Sequence, residues 1–180
     1  MKKEKKLDVV FILDKSGSMS NQRENTISSF NEYLMREKKN KYTTYITTVM
    51  FSDKHNIIHD REDIKKVKEL TDKDYYIGGC TALYDALGST IISMKQKETD
   101  KVLFIIITDG YENASREYKK EDIKKLIAEN KNYEFVYIGA DIDSYAAGND
   151  IGIRNDNIAN FRKDRVGTSK LFKAVASFGD

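Results

Sequence analysis

Apolar and polar positions fall into two alternating kinds of run. Leu7–Leu13, LDVVFIL, is short, β-branched and apolar apart from Asp8, the pattern of a buried parallel strand. Lys101–Gly110, KVLFIIITDG, is the strongest run of this kind, and Tyr133–Ala140, YEFVYIGA, is another. Thr43–Asp53, TTYITTVMFSD, alternates and is rich in Thr, Tyr and Val, so it also predicts a strand. His55–Asp60, HNIIHD, follows so closely that an antiparallel edge strand is expected, and Asn157–Phe161 predicts a last strand. Between these lie helical patterns. Asn21–Lys39 spaces Ile27, Phe30 and Leu34 along one face. Glu62–Leu70, Thr81–Lys97, Arg116–Lys131, Ser144–Ile153 and Thr168–Phe178 predict further helices, with Gly88 a tolerated blemish in its helix. Thr71–Cys80, with its paired glycines, predicts a loop.

Strands alternating with helices predict a doubly wound α/β sheet, whose ligands bind beyond the carboxyl ends of the strands where strand order reverses. The 180 residues fit one domain over 1–180, with residues 1–6 a flexible basic tail. Charge changes this picture little: 31 Lys and Arg against 29 Asp and Glu leave a net +2, which argues against nucleic acid as a partner. The lysine-rich runs read as solvated helix faces. The single Cys80 excludes an intramolecular disulfide and a cysteine-rich zinc site, and suits a reducing, cytoplasmic setting. The apolar stretch near the start is short, broken by Asp8 and followed by no small-residue cleavage site, so no signal peptide is expected. Nothing is long enough to span a membrane. The absence of proline and the wealth of Lys, Asn and Ile suggest an AT-rich bacterial or phage genome.

The candidate chemistry sits where strands end. FILDKSGS closes one strand with Asp14, Ser16 and Ser18, and IIITDG closes another with Asp109. Adjacent strands lie about 4.8 Å apart, so two such ends bring their carboxylates within reach of one small cation. Thr81, after Gly78-Gly79, opens a helix and is the third contributor. All five side chains offer oxygen, as magnesium requires; calcium would usually collect more carboxylates, so Mg2+ is favoured, with Mn2+ a substitute. If the carboxylates act mainly through water, the ion attracts an outside carboxylate, most simply an Asp or Glu of a partner protein. Gly17 between the serines permits tight backbone geometry. Plainer readings exist for each residue alone: Asp14, Ser16, Ser18 and Thr81 as helix caps, Asp109 as a turn residue.

Together these segments resemble a known family. DKSGSM is similar to the Asp-x-Ser-x-Ser motif of von Willebrand factor type A domains, GGCTALYDAL to the segment supplying their threonine, and ITDGYENAS to that supplying their second aspartate. FVYIGADIDSYAAGNDIGI also looks like bacterial members. The resemblance covers nearly the whole chain. It implies a six-stranded, mostly parallel sheet with one antiparallel edge strand and helices on both faces. It implies a metal-ion-dependent adhesion site with Ser16 and Ser18 as direct ligands and Asp14, Thr81 and Asp109 binding directly or through water. The implied function is magnesium-dependent protein binding through an acidic side chain, without catalysis.

Further expectations concern neighbours of these loops. Met19, Tyr111, Glu112 and Asn113 are candidates for a partner-contacting rim. Asp85 favours its helix dipole, Cys80 is a buried inert thiol, and His55 and His59 lie on an exposed edge. The alternative function is a magnesium-dependent phosphoryl-transfer enzyme or phosphatase, with Asp14 as nucleophile. Against it, Ser16 stands where aspartyl phosphatases place a second aspartate, and GGCT lacks the P-loop lysine.

Overall fold

A computed structural model describes residues 6–40, 42–109, 111–139 and 143–160. The strands are β1 (Lys6–Asp14), β2 (Thr43–Phe51), β3 (His55–Asp63), β4 (Lys101–Thr108), β5 (Tyr133–Gly139) and β6 (Ile158–Asn160). The helices are α1 (Arg23–Glu37), α2 (Leu83–Lys95), α3 (Lys120–Glu129) and α4 (Ser144–Asp150), with a 3-10 turn over Gly17–Gln22 before α1. The closing helix expected over 168–178 lies outside the described residues. Lys6, assigned to the tail by sequence, already belongs to β1.

The strands form one sheet in the order β3-β2-β1-β4-β5-β6. All pairings are parallel except β2 with β3. Both faces are covered, which is why the central strands read as continuous apolar runs. Val9, Phe11 and Leu13 of β1 face α1, where Phe11 meets Phe30 and Tyr33 edge-on at 4.8 and 5.2 Å. Val10 and Ile12 face the other way, toward Leu87 and Ile91 of α2 and Ile123 of α3. From β1 the chain builds outward to β2 on one side and returns through β4 on the other. The strand order therefore reverses between the carboxyl ends of β1 and β4.

The helix expected over 62–70 does not form. Residues 61–63 prolong β3, and the chain then crosses α1 as a turn and an irregular strap. Ile64, Val67 and Leu70 are buried, so their three-residue spacing reports burial and not helix. Side chains of α1 and of Lys38 at its C-terminal end satisfy the strap's backbone instead: Asn31 Nδ2 donates to the Leu70 carbonyl at 2.9 Å, Asn31 Oδ1 accepts from its N–H at 2.8 Å, and Lys38 Nζ donates to the Val67 carbonyl at 2.7 Å. Gly88 is likewise no blemish. A Cβ there would lie 2.5 Å from the Tyr118 ring, so its absence lets α2 seat against that ring. No helix among the described residues is long and apolar enough to cross a membrane.

Candidate functional site

Asp14 ends β1 with no exposed surface, and its carboxylate is held on both oxygens. The Ser16 N–H donates to Oδ1 at 2.7 Å, and the Thr108 hydroxyl, at the end of β4, donates to Oδ2 at 2.6 Å. Beneath it the buried Tyr75, from the strap, donates its hydroxyl to the Asp14 carbonyl. Burial pushes the Asp14 carboxyl above its ordinary range; hydrogen bonds from Ser16 and Thr108 offset part of this, and the charge of Asp109 adds to the rise.

From Asp14 a chain of hydroxyls leads outward. Ser16 Oγ lies 3.2 Å from Ser18 Oγ, and the Ser18 hydroxyl donates to Asp109 Oδ1 at 2.7 Å. Asp14, Ser16, Ser18 and Asp109 thus share one corner at the strand-order reversal. Thr81 is delivered from a third loop, stitched onto the first by backbone bonds: the Gly17 N–H donates to the Gly79 carbonyl at 3.0 Å, and the Gly78 N–H to that of Lys15 at 2.8 Å. Gly79 is required there. Its φ is +90°, and a Cβ would sit 2.2 Å from Asp53 Oδ2. Gly17 carries no such demand, since a Cβ would meet its nearest neighbour at an ordinary 3.7 Å.

The capping readings do not describe these residues. Ser16 occupies the N-cap of the 3-10 turn without a side-chain cap bond, and Ala82, not Thr81, is the N-cap of α2. Two of the orphan N–H groups of α2 are satisfied from another loop. Glu112 Oε2 accepts from the Tyr84 N–H at 3.0 Å, and Ser115 Oγ from the Asp85 N–H at 3.0 Å. In return Asp85 accepts the N–H groups of Arg116, Glu117 and Tyr118 at 2.8, 2.9 and 2.9 Å. These bonds hold residues 116–118 out of the helix, so α3 begins at Lys120 and not at Arg116.

The expectations for the surroundings meet different outcomes. Met19 is wholly buried among Phe30, Leu13 and Tyr75, so it is core and not rim. Glu112 also accepts from the N–H groups of Ala114 and Ser115, so it is a loop clamp. Asn113 is engaged with Thr81, its Oδ1 accepting the Thr81 N–H at 2.9 Å. Tyr111 stays 62% exposed and donates its hydroxyl to Asp143. Cys80 is exposed, because Thr81 rather than Cys80 turns inward; its bond to Asp53 pushes the thiol up. His59 is half-buried and stacks on Phe30 at 6.1 Å, while His55 stays exposed; register shifts in the β2–β3 pairing separate their environments. Sequence reasoning missed Tyr75, Thr108 and Asp53, which carry no motif of their own.

Among the described residues no three His, Cys, Asp or Glu side chains gather at one point. The corner is instead two carboxylates with neutral hydroxyls, a donor set that fits a small, hard, oxygen-seeking cation. The von Willebrand factor type A domain family model matches residues 8–174. The chain belongs to the von Willebrand factor type A domain family. This type A domain is similar in fold to proximal thread matrix protein 1 from the mussel byssus. They share 20% identity over 97% of this chain and 45% of that one, with a TM-score of 0.64. A second structure of that mussel protein is described as having a zinc-occupied MIDAS motif, the metal-ion-dependent adhesion site (TM-score 0.63, 20% identity, 97% and 45% covered). The PilB minor pilin from Streptococcus sanguinis gives 13% identity and a TM-score of 0.69 over 98% of this chain and 62% of the pilin. The type A domain therefore spans less than two thirds of these relatives. BatB from Bacteroides thetaiotaomicron matches over 96% and 98% of the two chains, at 12% identity and a TM-score of 0.68. No curated protein matches the type A domain significantly. Domains of this family are generally interaction modules whose adhesion site takes a divalent metal.

Proposed function

We propose that this single type A domain is a magnesium-dependent protein-binding module of bacterial type, working in the cytoplasm. Its metal-ion-dependent adhesion site captures an Asp or Glu side chain of a partner protein. The observation that carries this reading is the Ser16–Ser18–Asp109 hydroxyl–carboxylate chain beside the buried Asp14. Ser16, Ser18 and Thr81 would hold the ion through hydroxyl oxygens, and Asp14 and Asp109 through carboxylates. Because both Asp14 oxygens already accept protein hydrogen bonds, water-mediated contact suits that residue best. Bound there, Mg2+ supplies an electrophilic position for an incoming carboxylate. Mn2+, similarly oxygen-seeking, is the expected substitute.

Two buried or half-buried carboxylates near one corner repel each other, and a divalent cation removes that cost. The exposed Ser18 and Tyr111 leave the corner open on the side a partner would approach. Isothermal titration with Mg2+ tests the reading. Binding by the wild type, lost in Asp14→Ala and Asp109→Ala, is the expected outcome, as is release of a captured partner by chelator. Silent titration of the wild type would sink the metal, and chelator-indifferent capture would sink the adhesion role. Turnover of a generic phosphoester, abolished by Asp14→Asn, would replace both with the enzyme reading.

A further inference from the structure

We infer that Asn113 is a positioning residue of the adhesion site, coupling Thr81 to the loop that carries Asp109; the inference rests on the metal-site reading above. Thr81 is the only one of the five proposed ligands not delivered by β1, β4 or the residues directly following them. It is buried, in a loop preceding a helix whose N-cap, Ala82, has no capping side chain. Something outside its own segment must fix it, and Asn113 does so reciprocally. Its side-chain oxygen accepts the Thr81 N–H at 2.9 Å, and its backbone N–H donates to the Thr81 carbonyl at 3.0 Å. Both backbone polar groups of Thr81 are thus held by one residue, four positions beyond Asp109.

Two neighbouring bonds make the attachment stiff. The Ala114 N–H shares the Thr81 carbonyl at 3.3 Å, and Glu112 takes the Tyr84 N–H in the first turn of α2. Loop 112–115 therefore grips this segment at three residues, Thr81, Tyr84 and Asp85. The Thr81 backbone is thus fixed against the segment that follows Asp109, which limits where its hydroxyl can lie before any cation arrives. Groups that orient ligands in this way typically govern about 10–100-fold in metal affinity.

Asn113→Ala removes the side-chain acceptor and leaves the backbone donor. Asn113→Asp keeps an acceptor at the same place. We expect Asn113→Ala to weaken Mg2+ binding by about tenfold or more in isothermal titration, with Asn113→Asp at or above a third of wild-type affinity. Amide hydrogen exchange on the metal-free proteins is the second readout. Thr81 exchange should accelerate in Asn113→Ala while β1 and β4 amides stay protected, which separates local release from general destabilisation. Wild-type affinity and wild-type Thr81 protection in Asn113→Ala would overturn the inference. So would equal losses in both variants. Failure of the wild type to bind Mg2+ would overturn the metal reading itself, and the inference with it.

Discussion

Two buried carboxylates stand at opposite ends of β1, and they are satisfied by opposite means. Asp8, 1% exposed, receives the Arg61 guanidinium across β2: Nε at 2.7 Å on Oδ1 and Nη2 at 3.2 Å on Oδ2. Arg61 also donates to the Glu98 carbonyl at 2.8 Å and lies 5.0 Å from the Tyr45 ring centroid. Its φ of 48° places it in the left-handed region, a strain held by this set of contacts. Asp14, with no exposed surface, accepts only neutral donors among the described residues and faces a second carboxylate. Burial pushes both carboxyls up, and at Asp8 the guanidinium offsets part of the rise. A carboxylate that brings its own cation clamps an edge strand. One left among hydroxyls suits the outside cation proposed above.

The largest expected effect breaks the first end. Asp8→Ala strands a guanidinium that is 26% exposed, and should cost about 3 kcal/mol in denaturant unfolding while leaving Mg2+ binding intact. The converse variant, Asp14→Asn, keeps an acceptor for the Ser16 N–H, lets the Thr108 hydroxyl turn to accept from the new amide, and removes a charge near Asp109. Its metal-free stability should stay within about 1 kcal/mol of wild type. It should, however, lose the gain of about 2.7 kcal/mol that Mg2+ at a hundredfold excess over Kd gives the wild type. If Asp8→Ala abolished that gain and Asp14→Asn kept it, the contrast between the two ends would collapse.

Smaller changes sharpen the same contrast. On the site side, Gly88→Ala forces a methyl against the ring of Tyr118, a residue whose backbone N–H donates to Asp85. A loss of about 2 kcal/mol is expected in thermal unfolding, with weakened Mg2+ binding because the 112–118 loop shifts with the ring. Unchanged stability and affinity would count against rigid coupling of α2 to that loop. On the Arg61 side, β3 also carries His59, whose pKa burial lowers from 6.5. The native state therefore favours neutral imidazole, and the unfolded chain takes up the proton first as pH falls. Stability is full above about 6.5 and declines below it, and His59→Gln should flatten that decline. This is the smallest effect, read as the pH dependence of the unfolding midpoint between pH 7 and 5; an unaltered slope in the variant would refute it.

The central strands were legible because a parallel sheet covered on both faces needs apolar residues at every position, and VVFIL and VLFIII can hardly serve another purpose. The five candidate ligands were legible for a related reason. Their oxygen-bearing types recur at three loops in a fixed order, where each alone would pass for a cap or a turn. Ile64, Val67 and Leu70 misled because the same spacing serves a helix face and an irregular strap pressed on a core. The deciding factor was Asn31 and Lys38 on another element, which satisfied the strap's backbone. Met19 and Cys80 misled because exposure depends on which way a loop turns, and the stitching of residues 15–17 to 78–79 settles that.

By itself, then, the sequence determined the layers, the central strands and the chemical types gathered at the carboxyl edge. These follow from local periodicity and from what a buried strand must contain. Only the tertiary structure decided which polar groups answer one another: Arg61 to Asp8, Thr108 to Asp14, Asn113 to Thr81. Each pair joins segments at least 32 residues apart, so no local pattern encodes it, and hydrogen-bond satisfaction in the packed chain selects it.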